Sequence, residues 1–392
     1  MKSLKIKQGY DYLVVFFIIS ISFSKAIPNL IFGILLLLFI YLKVKEKTVN
    51  IHKSYFLSFG LLFFYLIIKQ IINGSIYEEI NFYSRFALVL ILPILLIDVS
   101  RFKIISAILL LSSTSIFIAL YKIINYYFIY KIIPFSNVAQ VNDLLPLERP
   151  YMGFLCVISI FTCLYLSQKF PKFKYQLYIF SFLHTGFVFL IAARLSIITL
   201  VLSLVIYIFI YSNINFLKKL LLTGSSVLVV VVLLFSYNNL SKRFFVSSKI
   251  ETIIDYEPRV EIWNCSYKII KDKSFNYLFG FENNKMLEDK LTDCYGTEIK
   301  KESKKQYFLD LKFNTHNQFI DFFLIGGLIG LSFFLNYCIL LIMYSRKNFF
   351  MFALSFSLIV FFFFENVLHR QYGCFLVALI FTLIIKNRNN ES

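Results

Sequence analysis

A histidine and an asparagine stand at the start of a long apolar run, in the stretch Asn-Thr-His-Asn-Gln that contains His316 and Asn317. Polar groups beside membrane-length apolar runs are expensive to place, so they are the first candidates for function. A histidine has an unperturbed pKa of about 6.5 and can accept a proton from a hydroxyl group at neutral pH. His316 is therefore a candidate general base, with Asn317 as a candidate substrate-binding residue. The alternative is that the two residues only cap the helix that follows.

Arginines lie beside several other apolar runs, at Arg149, Arg194, Arg259 and Arg370. A guanidinium group stays charged and grips phosphate oxygens through a planar fork of donors. Singly, each of these arginines is more simply explained as an interfacial anchor. The topology described below places all of them on the same side of the membrane as His316. Together they predict an anion site, and a diphosphate is the ligand that fits it.

Two further residues join this prediction. Glu365 lies in the same turn as Arg370, and Trp263 follows Arg259 by four residues, so that the two share one side of a helix. We expect both Glu365 and Trp263 to contribute to substrate binding.

The elements that position these residues are membrane helices. Of the 392 residues, 59% are hydrophobic and 19% aromatic, with a mean hydropathy of +0.74. A soluble domain could not bury that much apolar surface, which predicts an all-α, polytopic membrane protein. Runs long enough to cross a bilayer recur about twelve times. They span residues 10–26, 27–43, 55–72, 86–100, 104–130, 151–166, 175–193, 195–213, 217–236, 317–344, 349–365 and 372–386.

The formal net charge of +18 is explained by topology, because lysines and arginines cluster at alternate ends of successive runs. This positive-inside pattern places both termini in the cytoplasm and argues against a nucleic-acid partner. The first run resembles a signal peptide, with Ser24-Lys25-Ala26 as a cleavage-like site, but we expect it to be retained. No spacing typical of a metal site, a phosphate-binding loop or a dinucleotide-binding motif is present, so neither a metal nor a cofactor is predicted.

The alternation divides the chain into a membrane part at residues 1–236, a periplasmic segment at 237–316, and a second membrane part at 317–392. Within the 237–316 segment, apolar residues at helical spacing predict a helix that begins at Pro258, with Asp255 or Glu257 as its start signal. Cys265 and Cys294 lie in this segment, where an oxidising compartment would permit a disulfide. The alternative is two unrelated thiols.

The motifs resemble those of the O-antigen ligase and O-antigen polymerase superfamily of bacterial envelope glycan enzymes. The resemblance rests on Arg194 in "AARLSI", Arg259 and Trp263 in "PRVEIW", "YLFGFE" at 277–282, "THNQFIDFFLIGGLIGL" at 315–331 and "ENVLHRQYG" at 365–373. It covers about the second half of the chain. One departure is that Gly280-Phe281-Glu282 keeps only the first glycine of the Gly-x-Gly that the family often carries.

The resemblance implies an inverting, metal-independent glycosyltransferase of the bacterial inner membrane that works at the periplasmic face. Its donor would be a glycan linked to undecaprenyl diphosphate, and its acceptor a hydroxyl group of lipid A core or of another lipid-linked glycan. Arg194 and Arg259 would bind the diphosphate, and His316 would act as base on the acceptor or orient it. The roles of Arg149 and Arg370 are our own extension of this assignment.

Three alternatives remain open. A ligase and a polymerase would use the same residues, because they differ only in the acceptor. A transporter of lipid-linked glycans would also have many spans, although transporters place their substrate sites near mid-depth. A structural or sensory protein would leave the arginines without a purpose.

Overall fold

The computed structural model describes residues 2–24, 26–46, 56–131, 142–236 and 257–389. These ranges contain fifteen α-helices and no strand. The helices are α1 Lys2–Ser20, α2 Ala26–Glu46, α3 Leu61–Ile72, α4 Ile80–Leu95, α5 Arg101–Tyr130, α6 Arg149–Lys169, α7 Lys174–Leu190, α8 Arg194–Ile206, α9 Phe216–Ser236, α10 Pro258–Lys271, α11 Asn284–Glu298, α12 Glu302–Leu311, α13 Gln318–Ser345, α14 Phe349–Phe364 and α15 Gln371–Asn389. The all-helical class is as expected from the sequence.

Apolar helices occupy the twelve predicted spans. Five helical segments of the described residues are long and apolar enough to cross a membrane: Ala26–Val44, Arg101–Tyr130, Arg149–Lys169, Arg194–Tyr211 and Gln318–Ser345. The shorter apolar helices are Leu57–Ile72, Ile80–Leu95, Phe349–Phe364 and Gln371–Asn387. These features indicate a multi-pass membrane protein, while twelve crossings remain a prediction. One boundary differs clearly, because α4 starts at Ile80, upstream of the predicted span 86–100, where polar residues hid its first turns.

Helix α6 lies at the centre of the bundle. Its apolar window is 83% buried, compared with 22% for α2. A helix that is apolar all round belongs in a protein interior, and α6 packs against α5, α7, α8 and α14. Gly153 makes the contact with α8 a close one, because a Cβ atom there would lie 2.7 Å from the Cβ of Ala193. The N-terminal turn of α6 is thereby held against the start of α8.

Helices α10, α11 and α12 form a small cluster within residues 257–316. Its core contains Ile262, Leu287, Leu291, Tyr295 and Phe308, all buried. A disulfide joins Cys265 of α10 to Cys294 of α11, which confirms the bridge that the sequence left open. The cluster fixes the direction of α10 and so the position of Arg259 in its first turn. The division of the chain at residues 237 and 316 stays a prediction.

The cluster is anchored in a break of α13. The sequence predicts an unbroken span at 317–344, but Gly327 has a φ of +63° and interrupts the helix. Backbone bonds replace the lost helical ones: Phe281 N donates to Leu324 O at 2.7 Å and Leu328 N to Tyr277 O at 2.8 Å. Gly280, with a φ of +70°, approaches so closely that a Cβ atom would lie 2.4 Å from Leu324 O. This contact explains why the single remaining glycine of "YLFGFE" is needed.

Helix α3 also contacts the loop around Gly280 and the break in α13. Lys69 of α3 donates to the carbonyl oxygens of Phe279, Phe281 and Ile325. Carbonyl groups freed by a broken helix must find donors in a membrane protein, and the ammonium group supplies them.

Candidate functional site

A continuous series of ion pairs joins four separate parts of the chain. Arg194 Nη2 donates to Glu257 Oε2 at 2.7 Å, and Arg259 Nη1 donates to Glu257 Oε1 at 2.9 Å. Arg259 Nη2 in turn donates to Glu365 Oε1 at 2.6 Å, and His316 Nδ1 lies 3.2 Å from Glu365 Oε2. Each carboxylate therefore bridges two basic side chains. The structure brings together Arg194, Arg259, His316 and Glu365, as the sequence predicted.

Helix ends position Arg194, Arg259 and Glu365. Arg194 opens α8, and Arg259 lies in the first turn of α10 directly after Pro258. Glu365 follows the last residue of α14 with extended backbone, φ −145° and ψ 145°, which turns its side chain away from the helix axis. Arg259 Nε also donates to the carbonyl oxygen of Phe364, at 3.1 Å. That carbonyl is one of those that a helix end leaves without an internal partner.

His316 has an unusual backbone conformation. Its φ is +43°, in the left-handed region, which costs a residue with a side chain about 1 to 2 kcal/mol. Its amide donates to Asn314 Oδ1 at 3.1 Å, and its ring lies 5.7 Å from the ring of Phe313 between centroids. Because strained backbone persists only where its surroundings hold it, and because such residues cluster at active sites, the strain supports a functional role for His316.

The two carboxylates are ionised at neutral pH. Burial raises the pKa of Glu365, but the hydrogen bond from His316 and the charge and hydrogen bond of Arg259 outweigh it, so that the pKa lies below its ordinary value. Burial likewise raises the pKa of Glu257, but the charges of Arg194 and Arg259 outweigh this effect. The pKa of Glu257 therefore also lies below its ordinary value. An ionised carboxylate can only accept hydrogen bonds. His316 therefore donates Nδ1–H to Glu365, which leaves Nε2 as the nitrogen that can take up a proton.

Trp263 and Asn317 hold the residues on either side of His316. The indole Nε1 of Trp263 donates to Thr315 O at 3.1 Å. Asn317 is the N-cap of α13, and its side-chain oxygen accepts from the amides of Phe319 and Ile320, both at 3.0 Å. The cap that the sequence offered as an alternative is thus present. Substrate binding by Trp263 and Asn317 stays a prediction.

Arg149 is buried and has no ion-pair partner among the described residues. Only 6% of the residue is exposed, and neither Nε nor Nη1 has a hydrogen-bond partner among the described residues. Arg149 lies one turn before Gly153, on the face of α6 that meets the start of α8 and hence Arg194. No described contact joins it to the paired groups. A buried cation without an anion is costly, so this guanidinium is suited to an anionic ligand.

Arg370 stands apart from the series. Its Nη2 lies 3.3 Å from Glu148 Oε1, with half of its side chain exposed. It is a neighbour of the paired groups along the chain, but it makes no described contact with them.

Sequence reasoning missed two features of the site. Glu257 was considered only as a helix start, yet its side chain makes no capping bond and binds two arginines. Its place directly before Pro258 and Arg259 was the available signal. The second feature is a pair formed by the buried Asp321 and the partly buried His369, with His369 Nε2 2.7 Å from Asp321 Oδ2. Spacing along the chain gave no indication of this pairing, because 48 residues separate the two.

The arrangement can bind an anion and accept a proton at one place. Three of the five N–H groups of Arg259 are used in the contacts above, so two are available to a ligand. The four charges of Arg194, Arg259, Glu257 and Glu365 cancel, and the charge of Arg149 adds to them. Within the described ranges, no group of three His, Cys, Asp or Glu side chains could hold a metal ion.

Comparison with known proteins identifies one family. Residues 179–335 match the family model described as O-antigen ligase. The match includes Arg194, Arg259, Trp263, His316 and Asn317. Arg149, Glu365 and Arg370 lie outside the matched residues. No curated protein matches the chain.

Proposed function

We propose that this chain, whose residues 179–335 match the O-antigen ligase family model, transfers a glycan from a lipid diphosphate to an acceptor hydroxyl group. The family supports a glycosyltransferase-type enzyme that acts on lipid-linked glycans. The observation that carries the proposal is the unbroken series from Arg194 through Glu257, Arg259 and Glu365 to His316. Two guanidinium groups and an imidazole in one series support phosphate binding and proton transfer at the same place.

In the proposed reaction the donor is a glycan on undecaprenyl diphosphate. The acceptor oxygen attacks the anomeric carbon, the bond from that carbon to the phosphate oxygen breaks on the opposite face, and the configuration is inverted. His316 Nε2 takes the proton from the acceptor hydroxyl group. Glu365 keeps the proton on Nδ1 and stabilises the imidazolium that forms. This division of roles requires the histidine tautomer that the contact with Glu365 imposes.

The leaving diphosphate gains negative charge, and the arginines stabilise that charge without a metal ion. Arg194 and Arg259 contact its oxygens, and well-placed donors of this kind contribute about 3 to 4 kcal/mol each. Arg149, whose Nε and Nη1 have no hydrogen-bond partner among the described residues, binds the same anion from α6. Arg370 and Trp263 bind the glycan at the rim. The site faces the periplasm across the inner membrane, and both termini lie in the cytoplasm.

The test uses purified full-length protein in lipid nanodiscs with lipid-linked glycan repeats alone, and then with lipid A core. His316→Ala should lower transfer at least about 100-fold, because general base catalysis contributes 10²–10⁴-fold. His52→Ala, which removes a histidine outside the matched residues, is the control and should retain wild-type transfer. Transfer to core only identifies a ligase, and lengthening ladders without core identify a polymerase. Normal transfer by folded His316→Ala protein would refute the assignment.

A further inference from the structure

A buried polar cluster lies next to the residues proposed to react. Asp321, 1% exposed, stands at its centre. Its Oδ2 accepts from Gln318 Nε2 at 3.2 Å and from His369 Nε2 at 2.7 Å. Its Oδ1 accepts from Asn366 Nδ2 at 3.0 Å and lies 3.3 Å from the hydroxyl oxygen of Thr315. The lone pairs of this buried carboxylate are therefore satisfied by side chains from two separate stretches of chain.

Two members of the cluster are next in sequence to the reactive pair, His316 and Glu365. Thr315 directly precedes His316, and Asn366 directly follows Glu365. Asn366 Nδ2 also donates to Thr315 Oγ1, at 2.9 Å. The residues next to His316 and Glu365 are thus both hydrogen-bonded to the carboxylate of Asp321.

His369 fixes the cluster to the rest of the bundle. Its ring packs on Phe82 of α4 with centroids 4.9 Å apart, and its carbonyl oxygen accepts from Arg85 Nη1 at 2.8 Å. Because Asp321 bonds to the ring of His369, the carboxylate cannot shift without moving a side chain that α4 holds in place.

We propose that Asp321 and His369 form a positioning pair that holds His316 and Glu365 in register for proton transfer. The expected effect on glycan transfer rests on the proposed function. The expected effect on the tautomer of His316 rests on geometry alone. Neither Asp321 nor His369 touches the reacting atoms in this assignment. They act through Thr315 and Asn366, which set the strained backbone of His316 and the extended backbone of Glu365.

The first experiment reads the tautomer of His316 directly. The chain has four histidines, so nitrogen-15 labelling of histidine alone gives four pairs of ring signals, which single His variants assign. In the wild type, His316 should carry its proton on Nδ1. Asp321→Asn replaces an acceptor by a donor opposite His369 and Gln318, and should move the His316 signals toward a mixture of tautomers. Thr315→Val cuts one tie and leaves Asp321 and His369 paired, so it serves if Asp321→Asn does not fold.

Kinetics complete the test. Asp321→Asn should lower kcat about tenfold to a hundredfold with the KM for the lipid-linked donor unchanged, because small misplacements of reacting groups have effects of this size. Glu79→Gln is the matched control, since it removes a buried carboxylate that instead caps α11 by accepting from Asn284 N at 2.6 Å.

The outcomes separate the two ideas. His316 signals that stay as in the wild type in folded Asp321→Asn or Thr315→Val protein would overturn the positioning pair. An equal effect of Glu79→Gln would do the same. If wild-type protein transfers no glycan from any lipid diphosphate offered, the proposed function fails, and the ring signals still decide whether Asp321 positions His316.

Discussion

Two histidine–carboxylate pairs lie at the same end of this molecule in different surroundings. Glu365 receives its hydrogen bonds from the guanidinium group of Arg259 and from the ring of His316. Asp321 receives them from the neutral amides of Gln318 and Asn366 in addition to His369.

The histidines also use opposite nitrogens. His316 donates from Nδ1 and keeps Nε2 for a proton, whereas His369 donates from Nε2. The donors around each carboxylate and the histidine nitrogen left to accept a proton indicate which pair is suited to catalysis. Glu365 is bonded to a guanidinium group, and Arg259 is connected through Glu257 to a second arginine, Arg194. Asp321 accepts hydrogen bonds from two amides and one imidazole and has no arginine or lysine partner among the described residues, and a fully satisfied buried network fixes a unique local structure. The same two functional groups thus serve reaction in one place and geometry in the other.

Among the variants that test this difference between the two pairs, Glu365→Gln should lower glycan transfer the most. Arg259 can only donate, so the amide oxygen must stay with it, and the amide N–H₂ then faces His316 Nδ1. The imidazole must accept there and carry its proton on Nε2, where it cannot act as a base. Transfer should fall on the order of 1,000-fold, as when a catalytic histidine is held in the wrong tautomer.

The measurement for Glu365→Gln is single-turnover transfer with lipid-linked donor, together with the histidine ring signals. Glu148→Gln is the control, because it alters a carboxylate that pairs only with the exposed Arg370. Wild-type rates in Glu365→Gln protein would show that Glu365 belongs with Asp321 as a structural group.

Arg259→Lys should have the next largest effect. A single ammonium group cannot reproduce a fork that reaches Glu257, Glu365 and the carbonyl oxygen of Phe364. We expect about a 100-fold loss of kcat, the effect of removing one donor that faces developing charge. Steady-state transfer assays measure it. Lys304→Arg is the reverse exchange at a nearby ion pair with Glu261, 3.1 Å long, and should leave the rate unchanged. Equal rates for Arg259→Lys and wild type would reduce Arg259 to an anchor.

The sequence predicted the reactive pair better than the positioning pair. His316 and Arg259 were found because polar residues at the ends of apolar runs are conspicuous, and topology placed them on one side. Glu365 was found through its neighbour Arg370. Asp321 was missed because it lies inside an apolar run, where one acidic residue looks like any other first-turn residue of a helix. Only the fold brings it to His369 and Asn366.

The fold shows the same limit. Hydrophobic runs predicted the positions of the apolar helices, because burial and membrane length both depend on composition. The break at Gly327 was not predictable, since its cause is a loop far away in the chain whose Gly280 needs the space. The disulfide was predicted only as one of two possibilities, because pairing of two cysteines depends on the positions of α10 and α11 relative to each other.

Arg370→Ala should give the smallest effect and so mark the edge of the reactive region. Its ion pair with Glu148 is half-exposed, and pairs of this kind contribute about 0 to 1 kcal/mol to stability. If Arg370 binds the glycan at the rim, the KM for the donor should rise roughly twofold to fivefold with kcat unchanged, because loss of a contact shared by ground state and transition state changes KM alone. Donor titrations of Arg370→Ala and Arg370→Lys measure this, and the lysine variant should recover part of the affinity. A fall in kcat instead would place Arg370 with Arg259 among the groups that meet the leaving diphosphate, whereas an unchanged KM would remove it from the site.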